Sequence, residues 1–453
     1  QPSLPKLDGQ TPASNVRAPL YAPFPAGCFA APAITNLWKP RTTMGVGILG
    51  YVVFVVCNLV FELRRNLRGD GGGALLVAGG AILGVGASLL WTAQGRLMLE
   101  WSEDGSDAGR LFAIFWALFN VSGILGGFLA FGFFSEPHAP STQLYVIFLV
   151  LMSVSAASVL LLSPGPAGAA AAADEGDVAA DGSSAPPNVL AAPSPSSICP
   201  SAVAEAGATL RLFARPRMLL LALLFWYTGF NQPYQLDTYG RRFTKRAMGI
   251  EALLFYAAEI VGALLAGWML DSSSRPRRAA QHQLALWAVA TSAAYACALA
   301  SGPPPAGCPE SASSCLKLLD AGSVLPTLAY ILWGFSDSQI QAFSYWLLRQ
   351  LHDDGSEQAR AIGFYKMLQS LGWCVGFAIM PTSRVPADLQ MWLTVGSAAV
   401  GGALALVPIR RLREGFRDGK HGGADMPAAR SPMNSTPLLG DAPASALDRQ
   451  APA

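Results

Sequence analysis

Apolar stretches of about twenty residues, the length that spans a bilayer as a helix, recur along this chain, each closed by a short polar or glycine-rich loop. Ten are read, at about 43–62, 73–95, 111–134, 143–163, 217–236, 249–270, 282–301, 322–348, 361–381 and 389–409, and a shorter one covers Leu20 to Trp38. Between the fourth and the fifth the pattern stops. Residues 164–207 run PGPAGAAAAADEGDVAADGSSAPPNV and onward in Ala, Pro, Gly, Ser and acid. Such a composition buries too little apolar surface to order itself, so it predicts a disordered cytoplasmic linker. Residues 414–453 predict a disordered cytoplasmic tail in the same way, and residues 1–19 are a polar N-terminal segment. The prediction is an all-α polytopic transmembrane bundle, with an incomplete N-terminal bundle over 20–163 and a six-helix bundle over 208–413.

Two loops read as the same part used twice. AGWMLDSSSRPRR, from Ala266 to Arg278, and AGCFAAPAITNLWKPRTTMGVG, from Ala26 to Gly47, each end a small-residue helix on a short basic turn and open a new apolar stretch. Repeats of this kind mark duplicated transporter folds. Two apolar segments precede the second copy within its half, and a single shorter one precedes the first. The chain opens on Gln1 in a polar stretch without a signal-peptide core. The expectation is therefore two pseudo-symmetric halves, the first starting one helix late, with about eleven spans of twelve. The KPR turn, the SRPRR turn and the RRLREGFRDGK end then share the cytoplasmic side, as positive-inside charge favours. Basic ELRRNLR (62–68) and GRRFTKRAMG (240–249) fall on the opposite side: either their long side chains reach the interface by snorkelling, or the topology differs at these loops.

Composition narrows the chemistry. Hydrophobic residues make up 52% and charged ones only 13%, against about 25% charge in soluble domains. A net charge of +2 gives no reason to expect nucleic acid as a partner. Four histidines and no His/Cys cluster predict no metal site and no cofactor. No nucleophile–base pair or phosphate loop is present, so no enzyme is expected. Of seven cysteines, Cys28, Cys57, Cys297 and Cys374 sit in apolar stretches. Cys308 and Cys315 share one Pro/Ser-rich loop and form a disulfide if that loop faces an oxidising space.

An ionisable group at the bilayer centre costs about 2.5–3.5 kcal/mol even on the milder scale, so each needs a reason. Glu259 lies in LLFYAAEIVGALLAGW, Asp337 in ILWGFSDSQIQAFSYWLL beside Gln341, and Lys366 in AIGFYKMLQSLGWCVGF. FWYTGFNQPYQLDTYG holds Tyr227, Asn231 and Gln235 around Pro233, which breaks helical hydrogen bonding as transporter sites commonly do. LLWTAQGRLMLEW holds Trp91, Gln94, Arg96 and Glu100. These polar groups read either as a cavity lining or as glue between helices. Glu259 reads as a proton-titrating carboxyl or as the buried partner of Lys366, and Lys366 alternatively snorkels to the interface. Arg96 and Glu100, at i and i+4, read as a structural ion pair. Asp271, Arg275, Arg277 and Arg278 read as ordinary topogenic charge, or as a gating loop in which Asp271 caps or pairs across the bundle.

Several strings carry a family resemblance. WTAQGR (91–96), FWYTGFNQPYQLDTYGRRFTKRAMGIEALLFYAAEIVGALL (225–265) and FSDSQIQAFSYWLL with ARAIGFYKMLQSLGW (335–373) resemble the Unc-ninety-three-like branch of the major facilitator superfamily, in its fungal and algal form. AGCFAAPAITNLWKPRTTMGVGILGYV (26–52) resembles that family's second helix and the loop after it. The resemblance implies a central cavity lined by the superfamily's first, fourth, seventh and tenth helices. The fourth would carry Trp91 and Gln94, the seventh Tyr227, Asn231 and Gln235, and the tenth Asp337 and Gln341. It further implies either a transporter of a small solute or ion, working by alternating access in the lipid bilayer, or a regulatory or trafficking partner of another membrane protein such as an ion channel or receptor. In the tail, Leu438 and Leu439 resemble a sorting signal that phosphorylation of Ser431 or Ser435 would strengthen. The protein is expected to be a multi-pass integral membrane protein, of the plasma membrane or an endomembrane alike.

Overall fold

The computed structural model describes residues 22–68, 73–102, 107–133, 142–162, 195–304, 315–316, 320–380 and 384–412. The polar segment 1–19, most of the linker, Cys308 and the tail lie outside them. The described residues are almost wholly helical: α1 Pro23–Trp38, α2 Pro40–Arg68, α3 Gly73–Trp101, α4 Ala108–Phe133, α5 Thr142–Ser158, α6 Pro195–Phe213, α7 Pro216–Gln232, α8 Lys245–Asp271, α9 Pro276–Ala300, α10 Val324–Leu351, α11 Gly355–Ile379 and α12 Ala387–Arg410. Beyond Pro233 the seventh helix continues as a π-helical turn, Pro233–Thr238, and a 3-10 turn, Tyr239–Arg242. Proline removes one backbone donor there, and the wider turn accommodates the loss.

Among the described helices, α2, α3, α4, α8, α9 and α12 are long and apolar enough to cross a membrane. Helices α10 and α11 are more polar, because Ser336, Asp337, Ser338, Gln339 and Gln341, and Lys366, Gln369 and Ser370, are all buried against other helices. In lipid, polar groups are tolerated where protein covers them. The bundle is thus apolar outside and polar within.

Helix α1 packs on α3 and α11, α2 on α3, α4 on α8, α8 on α10, α7 on α11 and α12, and α9 on α10. The α1–α11 and α4–α8 pairs join the helices before residue 163 to those after it. Small residues set the closest crossings, as expected where packing rather than hydrophobicity drives association. On α8 and α10, a Cβ at Gly262 would strike the Phe335 carbonyl and one at Gly334 the Phe255 carbonyl.

Two expectations need correction here. The last part of the segment read as linker is helix α6. Its Thr209, Leu212 and Phe213 are buried, and the Phe213 ring meets Phe29 of α1 at 6.0 Å and Phe364 of α11 at 4.8 Å. Ala202, Ala204 and Ala206 favour helix, and the helix docks through Thr209, Leu212 and Phe213, just beyond the residues read as linker. Snorkelling does not describe Arg242 either, since it is 4% exposed. Its guanidinium donates to the carbonyls of Ser301 at 3.3 Å and Gly302 at 2.9 Å, and lies 3.8 Å over the Tyr239 ring. The basic 240–249 loop therefore closes the C-terminus of α9, where free carbonyls favour a cation.

Candidate functional site

The site is assembled around one carboxylate. Asp337 of α10 is 1% exposed. Its Oδ1 accepts from Asn231 Nδ2 at 3.0 Å, and its Oδ2 accepts from Gln232 Nε2 at 3.0 Å and from Gln341 Nε2 at 2.9 Å. Glu259 of α8, 3% exposed, lies within hydrogen-bonding reach of Asp337 and of Asn120 on α4. Glu259 and Asp337 thus face each other as two buried carboxyl groups. Asp337 thereby ties α7, α8 and α10 together.

The network runs on into α11. Gln341 Oε1 accepts from Tyr365 Oη at 3.1 Å and from Gln369 Nε2 at 2.8 Å, and Lys366 Nζ donates to Gln369 Oε1 at 2.7 Å. Trp373 Nε1 donates to Gln232 Oε1 at 2.9 Å. Lys366 is 3% exposed and does not snorkel. Its Nζ lies 4.9 Å from the Trp91 ring centre, 4.9 Å from that of Tyr365 and 5.2 Å from that of Tyr345. Among the described residues Glu259 and Lys366 make no ion pair with each other, because Glu259 faces Asp337.

These groups surround a cavity of about 180 Å³ between the two sets of helices, lined by Phe24, Trp91, Trp116, Phe119, Gln232, Leu236, Phe255, Tyr256, Glu259, Gln341, Lys366, Gln369 and Trp373. Of the sequence candidates, Trp91, Gln341, Glu259 and Lys366 line it. Trp91 is held by its own bond from Nε1 to Tyr51 Oη, 3.0 Å. Asp337 and Asn231 stand behind the wall. Tyr227 packs against Trp287 at 5.6 Å, and Gln235 donates to Tyr295 Oη at 3.4 Å, both away from the cavity. Gln94 is buried with neither amide atom bonded among the described residues. Sequence reasoning passed over Gln369, Tyr365 and Trp373. Their only signal was helical spacing from a known charge, Gln369 lying three residues after Lys366.

A second polar cluster closes the end that carries the KPR and SRPRR turns. Asp271, the last residue of α8, accepts from the backbone N–H of Gly109 at 3.0 Å and of Arg110 at 2.5 Å, capping the N-terminus of α4 on the other set of helices. Arg275 and Arg278 are exposed and Arg277 is half-buried, while Asp271 makes the contact on Gly109 and Arg110 across the helix sets. Arg96 pairs with Glu100 at 2.6 Å and also donates to Asn36 Oδ1 at 2.5 Å. Asn36 in turn donates to Glu205 of α6 at 2.5 Å, and Glu205 takes a two-pronged bond from Arg360 of α11 at 2.7 Å for each oxygen. Burial of Glu205 opposes ionisation, but the bonds from Arg360 and Asn36 outweigh it and hold its carboxyl below the ordinary range. Cys315 is disulfide-bonded, and Cys28, Cys57, Cys297 and Cys374 are free.

Beside this cluster, in the first turn of α11 and outside the spanning stretch, Glu357 bonds Arg215 at 2.7 Å and His352 Nδ1 at 3.1 Å. The Arg215 bond holds the Glu357 carboxyl down at about 2, and burial pushes the His352 imidazole below its usual 6.5. Both groups are lower in the folded state than unfolded, so their stabilisation is complete at neutral pH and drains away on acidification. The His352 share goes as pH falls below 6.5 and the Glu357 share between 4.5 and about 2. In detergent, the melting temperature should fall over that range. Glu357→Gln should cost about 0.5–1 kcal/mol at neutral pH, the scale of a partly exposed pair, and should flatten the more acidic limb. An unchanged acidic limb in the variant would show that Glu357 is not its source.

A bundle of apolar outer helices around a polar centre between two helix sets defines a multi-pass integral membrane protein of the major facilitator fold. Solved structures agree in architecture. The chain is similar to the proton:xylose symporter XylE with a TM-score of 0.59 and 12% identity, covering 88% of this chain and 84% of that one. It is similar to the fucose transporter FucP with a TM-score of 0.54 and 13% identity, covering 89% and 91%. Residues 15–402 match the family described as "Ion channel regulatory protein UNC-93", and the chain belongs to that UNC-93 family. UNC93-like protein 1 of Arabidopsis thaliana is 29% identical over 390 residues, which are 84% of this chain and 79% of that protein. An UNC93-like protein of Schizosaccharomyces pombe is 26% identical over 421 residues, 90% of this chain and 78% of the relative.

Proposed function

We propose that this UNC-93 family member moves a small solute or ion across the bilayer by alternating access, with the Glu259–Asp337 pair exchanging a proton during the cycle. The observation that carries this reading is a pair of buried, facing carboxyl groups, one member of which lines a cavity between the two helix sets. Glue between helices needs no such pair: interhelical amide and hydroxyl bonds average only about 0.6 kcal/mol in membranes. Loss of the exchanged proton leaves two facing carboxylates, which strains the α8–α10 crossing. Asp271 on the N-terminus of α4 and Glu205 between α1 and α11 hold one end shut, and their release would let the halves rock. The test is uptake by proteoliposomes containing the full chain, over a broad panel of small solutes and ions with and without a pH gradient. Uptake that accelerates with an imposed proton gradient is expected. No uptake of any panel member under either condition overturns the proposal.

A second reading rests on the family's description as an ion channel regulatory protein. In it, the chain binds another membrane protein and moves nothing itself. Reproducible capture of one channel or receptor from cross-linked native membranes, together with inert proteoliposomes, would favour it.

A further inference from the structure

We infer that the central cavity binds a small organic anion, its charged group on Lys366 and its body among the aromatic side chains. The inference rests on the cavity described above and names the chemical class of what enters it.

Lys366 is the feature that the hydrogen-bonded network leaves incomplete. An ammonium has three donors, and one of them goes to Gln369 at 2.7 Å. No carboxylate lies within ion-pair distance of it among the described residues. Asp337 is already engaged by Asn231, Gln232 and Gln341, and stands behind the cavity wall. Three ring faces at 4.9 to 5.2 Å favour a cation at this point. Asp337 acts on Lys366 only at a distance, through Gln369 and Gln341, and a buried ammonium is costly without a counter-charge in contact; a ligand's anion would supply that contact.

The opposite requirement is met on the other walls. Phe24, Trp91, Trp116, Phe119 and Trp373 offer flat apolar surface, which an inorganic anion would leave unused and an organic body would cover. Glu259 and Gln232 give the polar edge. At about 180 Å³ the space lies below the range of drug-sized sites, so the anion is small. A cationic ligand is disfavoured by Lys366 itself, through like-charge repulsion in a low dielectric.

The test uses the full chain in lipid nanodiscs and radiolabelled benzoate as the probe, displaced by unlabelled benzoate, benzamide, benzylamine or chloride. Saturable benzoate binding is expected. Benzamide, benzylamine and chloride should each displace it at least about tenfold less well. Lys366→Gln should weaken benzoate about tenfold or more and erase the preference over benzamide. Gln369→Glu supplies Lys366 with a resident counter-charge and should weaken benzoate to the same extent. Elution and melting of each variant are measured alongside, so that a misfolded protein is recognised, and the two variants make independent checks. Benzoate that fails to bind at millimolar concentration, benzamide that binds equally well, chloride that displaces equally well, or a folded Lys366→Gln that binds as before overturns the assignment. Binding is read without flux. A protein that holds benzoate through Lys366 but moves nothing in proteoliposomes sinks the transport reading and leaves this one standing. A protein that carries a neutral solute and ignores benzoate does the reverse.

Discussion

Asp337→Asn is expected to abolish proton-driven flux while leaving a folded protein, and Asp337→Leu is expected to prevent stable folding. The contrast follows from the hydrogen bonds. Oδ1 takes one amide and Oδ2 takes two. An asparagine keeps one accepting oxygen, which settles where two donors converge, and leaves Asn231 without its acceptor. One orphaned buried donor costs about 1–3 kcal/mol, a lowered melting temperature but a surviving fold. The variant also removes one carboxyl of the pair with Glu259, so the pair that exchanges the proton is gone. Leucine orphans all three amides at that same cost each, which is comparable with a total stability of about 5–15 kcal/mol. Flux in proteoliposomes and melting in detergent separate the two effects. Native-level gradient-driven uptake by Asp337→Asn would remove the carboxyl pair from the mechanism, and a Leu variant that melts like the native protein would remove Asp337 as the hub.

The second large effect is steric. Gly334→Ala should destabilise by about 1–3 kcal/mol, even though alanine is intrinsically the better helix former by about 0.8–1.0 kcal/mol. The new methyl would press on the Phe255 backbone, with carbonyl carbon and Cα at 2.9 and 3.0 Å. Backbone cannot swing aside as a side chain can, so α8 and α10 must separate. Glu259 stands one turn beyond Phe255, and Asp337 almost one turn beyond Gly334. Separation therefore pulls the carboxyl pair apart, and flux should fall together with stability. Gly396→Ala is the control, because a Cβ there meets nothing within 4 Å. It should melt at or above the native temperature. Equal melting of the two variants would show that the α8–α10 crossing is not tight.

Much of this architecture was legible in the sequence. Twenty-residue apolar runs follow from what lipid demands of a backbone that must satisfy itself. The cost of charge in lipid drew attention to Glu259, Asp337 and Lys366. What each of these does was not legible. The sequence offered Glu259 as a partner for Lys366, but partners across helices depend on which faces meet, and Glu259 meets Asp337. Asn231 and Gln235 are close in sequence, yet Asn231 joins the Asp337 network and Gln235 turns toward Tyr295, because the π turn after Pro233 rotates one away from the other. Gln369 and Trp373 carry no charge, so nothing in one dimension distinguished them from other amides and indoles.

The order of helices, their membrane environment and the family were thus determined by local chemistry, since hydropathy, length and short strings are properties of single segments. The identity of the cavity wall, the facing carboxyl pair, the place of Lys366 among three rings and the docking of α6 through Glu205 and Phe213 were decided only in three dimensions. Each depends on contacts between residues more than sixty positions apart in sequence, in several cases more than a hundred. Such contacts exist only once the glycine-lined crossings bring the helices together.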